Sequence, residues 1–423
     1  MVGKASGHRV FQLGALYLNR LASSLVGLFF LPAYLHLLGP EAFAIVAVIT
    51  SLQALAILLD LGLATVVGRD LAVFDTTAAE AKKILDAAEA SLICLYVCIS
   101  LVVIGFVFIF KASFEDTIQW LGTPLILLVA VLQNLHYSAL TSRKQFFAAG
   151  LINTFGILMK AIATWVTLKL TAATIENFIA AQLAFGIFHL FAMRMYSKRV
   201  FYSAAESPKR EIGASLSDCL KLITKARGLL LSSVAGAIAT QLDKPILSAY
   251  VPTQDLSAYF LAHTLSSAPL LIIATPIVQY FQPLITNSCT EGSNRATQIL
   301  LGKLGLAMFI ATMPAVLFIT LKMDWVTSIW LNHSPLSTSV SEHSYILLAA
   351  YTIGCVGYVP YTLIIAKQGY RFNAFLSVFS TLIMAGFIAA ASYYSNTKVA
   401  CYAYIAYYAV VTTGFSLWAL KKN

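Results

Sequence analysis

The sequence predicts an all-α polytopic membrane protein, with about twelve transmembrane helices in two six-helix lobes. Three observations carry this. First, 59% of the 423 residues are hydrophobic and only 11% are charged, with a mean hydropathy of +0.80. A soluble domain carries about 25% charge, because its surface must meet water. Second, the apolar residues come in unbroken runs that suit helices of about 20 residues crossing ~30 Å of hydrocarbon. A β-barrel would show ~10-residue alternating segments instead. Third, Lys and Arg are concentrated in alternate loops. Together these exclude a soluble enzyme, a fibrous protein and a disordered chain.

The runs fall at 10–38, 40–67, 90–110, 119–140, 149–171 and 175–195, then at 229–251, 255–286, 299–321, 344–366, 373–394 and 399–420. Inside a bilayer each backbone group must pair within its own helix, so each run is expected to be α-helical. The first run has no cleavage pattern after it and reads as a retained span, not a signal peptide. With the N-terminus inside, Lys82, Lys83, Arg143, Lys144, Arg194, Lys198, Arg199, Arg295, Lys303, Lys367, Arg371, Lys421 and Lys422 fall on inner segments. The outer loops hold Lys111, Lys169, Lys322 and Lys398. That bias places both termini in the cytoplasm of a cell inner membrane protein. It also accounts for the net charge of +10 through topology and contact with anionic membrane lipid, with no nucleic-acid partner.

The long hydrophilic stretch divides the chain into an N-terminal lobe at 1–200, a cytoplasmic connecting segment at 201–228 and a C-terminal lobe at 229–423. Within the connection, Ile212 to Arg227 reads as a basic amphipathic helix or a solvated linker. Pro32–Ala47 echoes Pro245–Ala262, each an odd helix end, a turn and the next helix start. Parallel six-helix repeats are a transporter habit.

Charge inside a span costs a few kcal/mol on insertion scales, so it should face a cavity or a partner. Arg20, Asp60, Lys160, Asp243 and Lys244 are the fixed charges there. Arg20 and Lys160 lie ~15 Å deep and Lys244 ~22 Å, at 1.5 Å per residue. Salt bridging would pair Asp60 with Arg69, and Asp243 with Arg20 or Lys160; these acids are coupling or structural ion-pair candidates. One deep carboxylate cannot neutralise three cations, and Lys244 should point about 100° from Asp243 on a helix. Arg20, Lys160 and Lys244 are therefore candidates for holding an anionic ligand. Asn19, Gln53, Asn153 and Gln241 are candidate cavity polar groups, with Asn134, His136, Gln182, His189 and His263 also in or near spans. Any one of them alone is more often an interhelical hydrogen bond than a ligand contact. Pro269, Pro276 and Pro283 recur every seven residues, which puts them near one helix face as kink sites.

The six cysteines are scattered and complete no metal site. No Gly-rich, Lys-Ser/Thr nucleotide signature appears, so no ATP hydrolysis, no cofactor and no catalytic residue is expected.

The stretch from Leu31 to Ala72 resembles the opening of polysaccharide flippases of the multidrug/oligosaccharidyl-lipid/polysaccharide exporter superfamily. Leu-Gly-Pro-Glu at 38–41, Leu-Asp-Leu-Gly-Leu at 59–63 and Arg69 carry most of the likeness. Residues 242–265 resemble the opening of that family's second lobe, with Ser257 and Ala258 where glycine is common, and 364–377 its tenth-to-eleventh loop. The resemblance implies a V-shaped two-lobe fold with a central cavity. It also implies an O-antigen-type flippase moving an undecaprenyl-diphosphate-linked oligosaccharide by alternating access, with a polysaccharide polymerase and chain-length regulator as partners. In-span cations suit the lipid diphosphate. A cation-coupled multidrug antiporter of the same superfamily, and a membrane polymerase or ligase, stay open as alternatives.

Overall fold

The computed structural model describes residues 2–58, 63–72, 78–110, 114–143, 145–202, 241–367 and 369–422. Every element among them is helical. The chain divides into two compact units, Met1–Ala237 and Ile238–Asn423. The first holds α1 (Val2–Leu58), α2 (Leu63–Ala72), α3 (Ala78–Phe110), α4 (Phe114–Ser142), α5 (Phe146–Leu170) and α6 (Ile175–Tyr202). The second holds α7 (Asp243–Leu247), α8 (Thr253–Pro269), a π turn at Leu270–Ala274, α9 (Thr275–Thr290), α10 (Asn294–Leu321), α11 (Met323–Trp330), α12 (Ser337–Ala366), α13 (Tyr370–Tyr393) and α14 (Thr397–Lys422).

Ten helices among the described residues are long and apolar enough to span a membrane. The first and second expected spans are the two arms of α1, which turn at Gly39. Its φ of 76° and ψ of 166° lie in a region open essentially to glycine alone. Pro40, one position on, starts the second arm where its missing N–H is harmless. The second arm is described to Leu58 and α2 over Leu63–Ala72, so the expected span at 40–67 is helical on both sides of residues 59–62, which lie outside the described residues. The connecting segment, the amphipathic reading of 212–227 and most of the expected span at 229–251 lie outside the described residues.

In the first unit α1 packs on α5, α4 on α6, α5 on α6 and α3 on α4. Leu63, Val67, Leu71, Leu85, Leu92, Val131 and Leu135 form a shared core of α2, α3 and α4. In the second unit α12 packs against both α14 and α8. Gly354 and Gly357 let α14 come close: a Cβ at Gly354 would meet the Tyr408 ring at 2.8 Å. Thr412 Oγ1 donates to the Ile353 carbonyl at 3.1 Å across the same seam. Small residues with an interhelical hydrogen bond are what membrane helices use where no hydrophobic drive exists. The opposite faces are apolar and open, as at Leu101, Val102, Phe155, Phe309, Ile310 and Leu382. Such faces belong against acyl chains, and the chain is a multi-pass integral membrane protein.

Pro269 does not share a face with Pro276 as the seven-residue spacing predicts, because the π turn lies between them. Pro276 has no N–H to offer the carbonyl one turn back. The widened turn re-pairs the chain there: the Leu270 carbonyl accepts both the N–H and, at 3.0 Å, the hydroxyl of Thr275. The expected outer loop from Lys322 to His343 contains α11, tied to α12 by the hydrogen bond from Ser341 to Asp324.

Candidate functional site

The first unit has an open cavity of about 200 Å³ between both arms of α1, α5 and α6. Its polar lining is Tyr34, Thr50, Gln53, Lys160 and Gln182, set among Val26, Phe30, Leu31, Val46, Ile49 and Phe178. The turn at Gly39 makes this arrangement possible, since it folds the second arm back so that Gln53 and Tyr34 face one space. Tyr34 clamps the first arm to α5 by donating its hydroxyl to the Ala161 carbonyl at 2.9 Å. Gln182 Nε2 donates to Thr164 Oγ1 at 3.3 Å, which holds that amide at the wall.

Lys160 is half-buried, and among the described residues its ammonium has neither a hydrogen bond nor an ion pair. No carboxylate lines the cavity among those residues. A partly desolvated cation with no partner among the described residues is unfavourable, and an anion beside it would relieve that cost. The structure thus brings Gln53 and Lys160 together. Asn153, half-buried two turns earlier on α5, is outside the lining. Asp60, and the side chains of Asn19, Arg20 and Arg69, lie outside the described residues.

Asp243 and Lys244 behave otherwise. They do not diverge as neighbours on a helix were expected to: Lys244 Nζ lies 3.0 Å from Asp243 Oδ1. The two side chains are almost wholly enclosed, with the residues 2% and 1% exposed. The four-carbon stem of lysine bends back, because a buried unpaired ammonium costs far more than a bent rotamer. Asp243 Oδ2 accepts from the hydroxyls of Tyr259 at 2.5 Å and Tyr404 at 2.9 Å. The carboxylate therefore has partners on both oxygens. His263 Nε2 lies 3.1 Å from Tyr404 Oη and 2.6 Å from Tyr351 Oη, which extends the network to α12. Because Tyr404 gives its proton to Asp243, an Nε2–H on His263 is the assignment that satisfies both contacts. Gln241 is half-buried just before α7.

A second buried carboxylate escaped the sequence reading. Glu89 on α3 is 5% exposed and sits between His136 on α4 and Arg194 on α6. His136 Nε2 approaches Oε1 at 3.0 Å. Arg194 binds bidentately, Nη2 to Oε2 at 2.6 Å and Nε to Oε1 at 3.3 Å. This geometry is among the strongest of ion pairs, and it ties together three helices of the first unit. The expected span began at residue 90, one position too late to include it.

The family model for polysaccharide biosynthesis proteins matches residues 13–289. Among curated proteins none matches the sequence. Solved structures do. An inward-facing multidrug resistance MATE family transporter of the MOP superfamily is 16% identical with a TM-score of 0.72, covering 96% of this chain and 98% of that one. A MATE in complex with MaL6 is 14% identical with a TM-score of 0.66, covering 98% and 95%. A MOP superfamily transporter from Pyrococcus furiosus, described by a binding pocket of reversed polarity that suggests a different function, is 15% identical with a TM-score of 0.65, covering 98% and 94%. At such identities the likeness is one of fold.

Proposed function

We propose, because the chain belongs to the polysaccharide biosynthesis protein family, that it is a flippase for a lipid-linked oligosaccharide. The cargo is an undecaprenyl-diphosphate-linked repeat unit of O-antigen type, and the step is ion-coupled alternating access across a cell inner membrane. Both termini and the 201–228 connection are on the cytoplasmic side, and the partners are a polysaccharide polymerase and a chain-length regulator. The protein is a carrier and not an enzyme.

The Lys160 ammonium, which has no partner among the described residues, carries this reading from the polar cavity of the first unit. A lipid diphosphate must leave water with its charge, and a preplaced cation lowers the cost of that step. Gln53, Gln182 and Thr50 add neutral donors and acceptors suited to sugar hydroxyls or phosphate oxygens. Arg20 is a further cation for the same group, proposed from its depth in the sequence. Lys244 reaches substrate only if it is released from Asp243.

A second reading is a cation-coupled multidrug antiporter, which the MATE neighbours favour by fold. Cationic cargo calls for carboxylates, and the described cavity lining presents a cation instead. Pocket polarity is also the feature that sets apart the Pyrococcus furiosus transporter.

The test is Lys160→Ala in cells whose surface polysaccharide depends on this gene. Loss of a charge-assisted hydrogen bond of about 1.5–3 kcal/mol weakens binding roughly ten- to a hundredfold. Surface polysaccharide should fall while membrane abundance stays near normal, with Lys160→Arg retaining more activity. Normal export by the alanine form, at normal abundance, removes the anion site and raises the antiporter reading.

A further inference from the structure

The short helix α11 joins α10 to α12 and carries apolar side chains on two opposite faces. Met323 and Thr327, with Leu331 just past the helix end, recur every four residues and are buried, and α11 packs on α12. Ser341 on α12 donates to Asp324 and holds the helix from one side. Trp325 and Ile329, also four residues apart, lie on the opposite face and are 57% and 54% exposed. One apolar face is enough to dock a helix on its own protein. A second one calls for a second apolar surface.

The neighbourhood of that face says what covers it. On α10, Leu306, Ile310, Leu317 and Leu321 repeat at four- and seven-residue steps and are all exposed, an apolar stripe of the kind that belongs against acyl chains. The stripe ends at Leu321, and α11 begins two residues later. Between them, exposed Lys322 has a stem long enough to lie along apolar surface with its ammonium in water. The same end of the second unit carries the exposed rings of Tyr250, Tyr393 and Tyr394. Ser395, in the turn between α13 and α14, donates its hydroxyl to the Tyr250 carbonyl at 2.9 Å, and Lys398 beside that turn pairs with Glu342 near the start of α12 at 2.8 Å. Indole and phenol rings gather at the membrane–water boundary, where the ring meets acyl chains and its N–H or O–H meets headgroups. A second protein copy fits less well, because two side chains expose far less than the roughly 800 Å² per partner of a stable protein interface.

We propose that the Trp325–Ile329 face of α11 is a lipid-binding surface: the helix lies in the plane of the membrane interface, with the Trp325 ring between the headgroups and the acyl chains of the leaflet at that end of the second unit. The face sits about 5–10 Å into this boundary, the depth of in-plane helices. Held to α12 on one side and to lipid on the other, α11 sets the depth at which α10 and α12 enter the bilayer. None of this depends on the cargo.

The experiment puts two probes on this face of the full-length protein, reconstituted in phosphatidylcholine vesicles. Tryptophan emission of wild type minus that of Trp325→Phe separates the Trp325 signal from the other tryptophans. Phosphatidylcholine brominated near the glycerol end of its acyl chains should quench most of that signal. Bromine near the chain ends should quench less, and iodide in the water should quench little. Independently, a spin label on Ile329→Cys in a cysteine-free background should collide more often with oxygen than with a water-soluble nickel chelate. The same label on Thr338→Cys, at an exposed position, should show the reverse. Quenching by iodide in place of bromine, or a preference of the Ile329 label for the nickel chelate, shows a water-facing helix and overturns the proposal. Protection of both probes from every quencher and collision partner shows a face covered by protein, a second copy included, and overturns it equally.

Discussion

Lys160 and Lys244 are the same residue type deep in the membrane, and their surroundings give them opposite characters. One faces a cavity with no counter-charge among the described residues; the other is locked to Asp243, with two tyrosine hydroxyls on the far oxygen. The sequence singled out both by the cost of in-span charge. It could not separate them, because the 100° rule treats side chains as rigid pointers and ignores the reach of a lysine stem. The tyrosines that complete the Asp243 cluster were invisible for another reason: among 20 of them, nothing in spacing marks Tyr259 or Tyr404. The pair leads to a prediction. Lys244→Met leaves a buried carboxylate without its counter-ion and should destabilise the second unit by about 3–5 kcal/mol. Adding Asp243→Asn should recover much of that loss, read as membrane abundance and melting temperature. A double variant no more stable than the single one would show that the pair is not what holds the cluster. Transport by the rescued double variant then reports whether Lys244 also meets the cargo.

Among the elements, the helices themselves were the most legible part of the fold, because a bilayer allows few alternatives to long apolar helices. Interruptions were less legible. Gly39 was marked by the Leu-Gly-Pro-Glu turn, but the π turn at Leu270–Ala274 fell inside an apolar run with no break in composition. Glu89 was lost the same way: α3 starts at Ala78 among polar residues, and a hydropathy edge at 90 cut it off. Gly39 offers a direct check. Nothing within 4 Å would touch a Cβ there, so the cost of Gly39→Ala is purely one of backbone conformation. That cost should be about 1–3 kcal/mol, seen as a lower melting temperature with a weaker cavity, since Gln53 and Tyr34 are brought together by this turn. A variant that melts with wild type would mean that the arms turn without needing the glycine conformation.

For the molecule as a whole, the basic bias of alternate loops is the source of the proposed orientation, and it can be tested on two exposed residues. In a cysteine-free background, Thr338→Cys should react with an impermeant thiol reagent added outside intact cells, and Ser293→Cys only after permeabilisation. The reverse pattern would invert the topology. The π turn at Leu270–Ala274 bears on any comparison of the chain with its relatives. One widened turn is equivalent to a residue inserted into a regular helix, so everything from Thr275 to Thr290 is rotated by about 100° from where an uninterrupted helix would carry it. The helix has, in effect, two reading frames. A relative without the widened turn, aligned residue for residue, would assign α9 the wrong face: positions that look lipid-facing would be interior, and the reverse. Across Pro269 to Pro276, correspondence by sequence number and correspondence by position in space come apart by one residue.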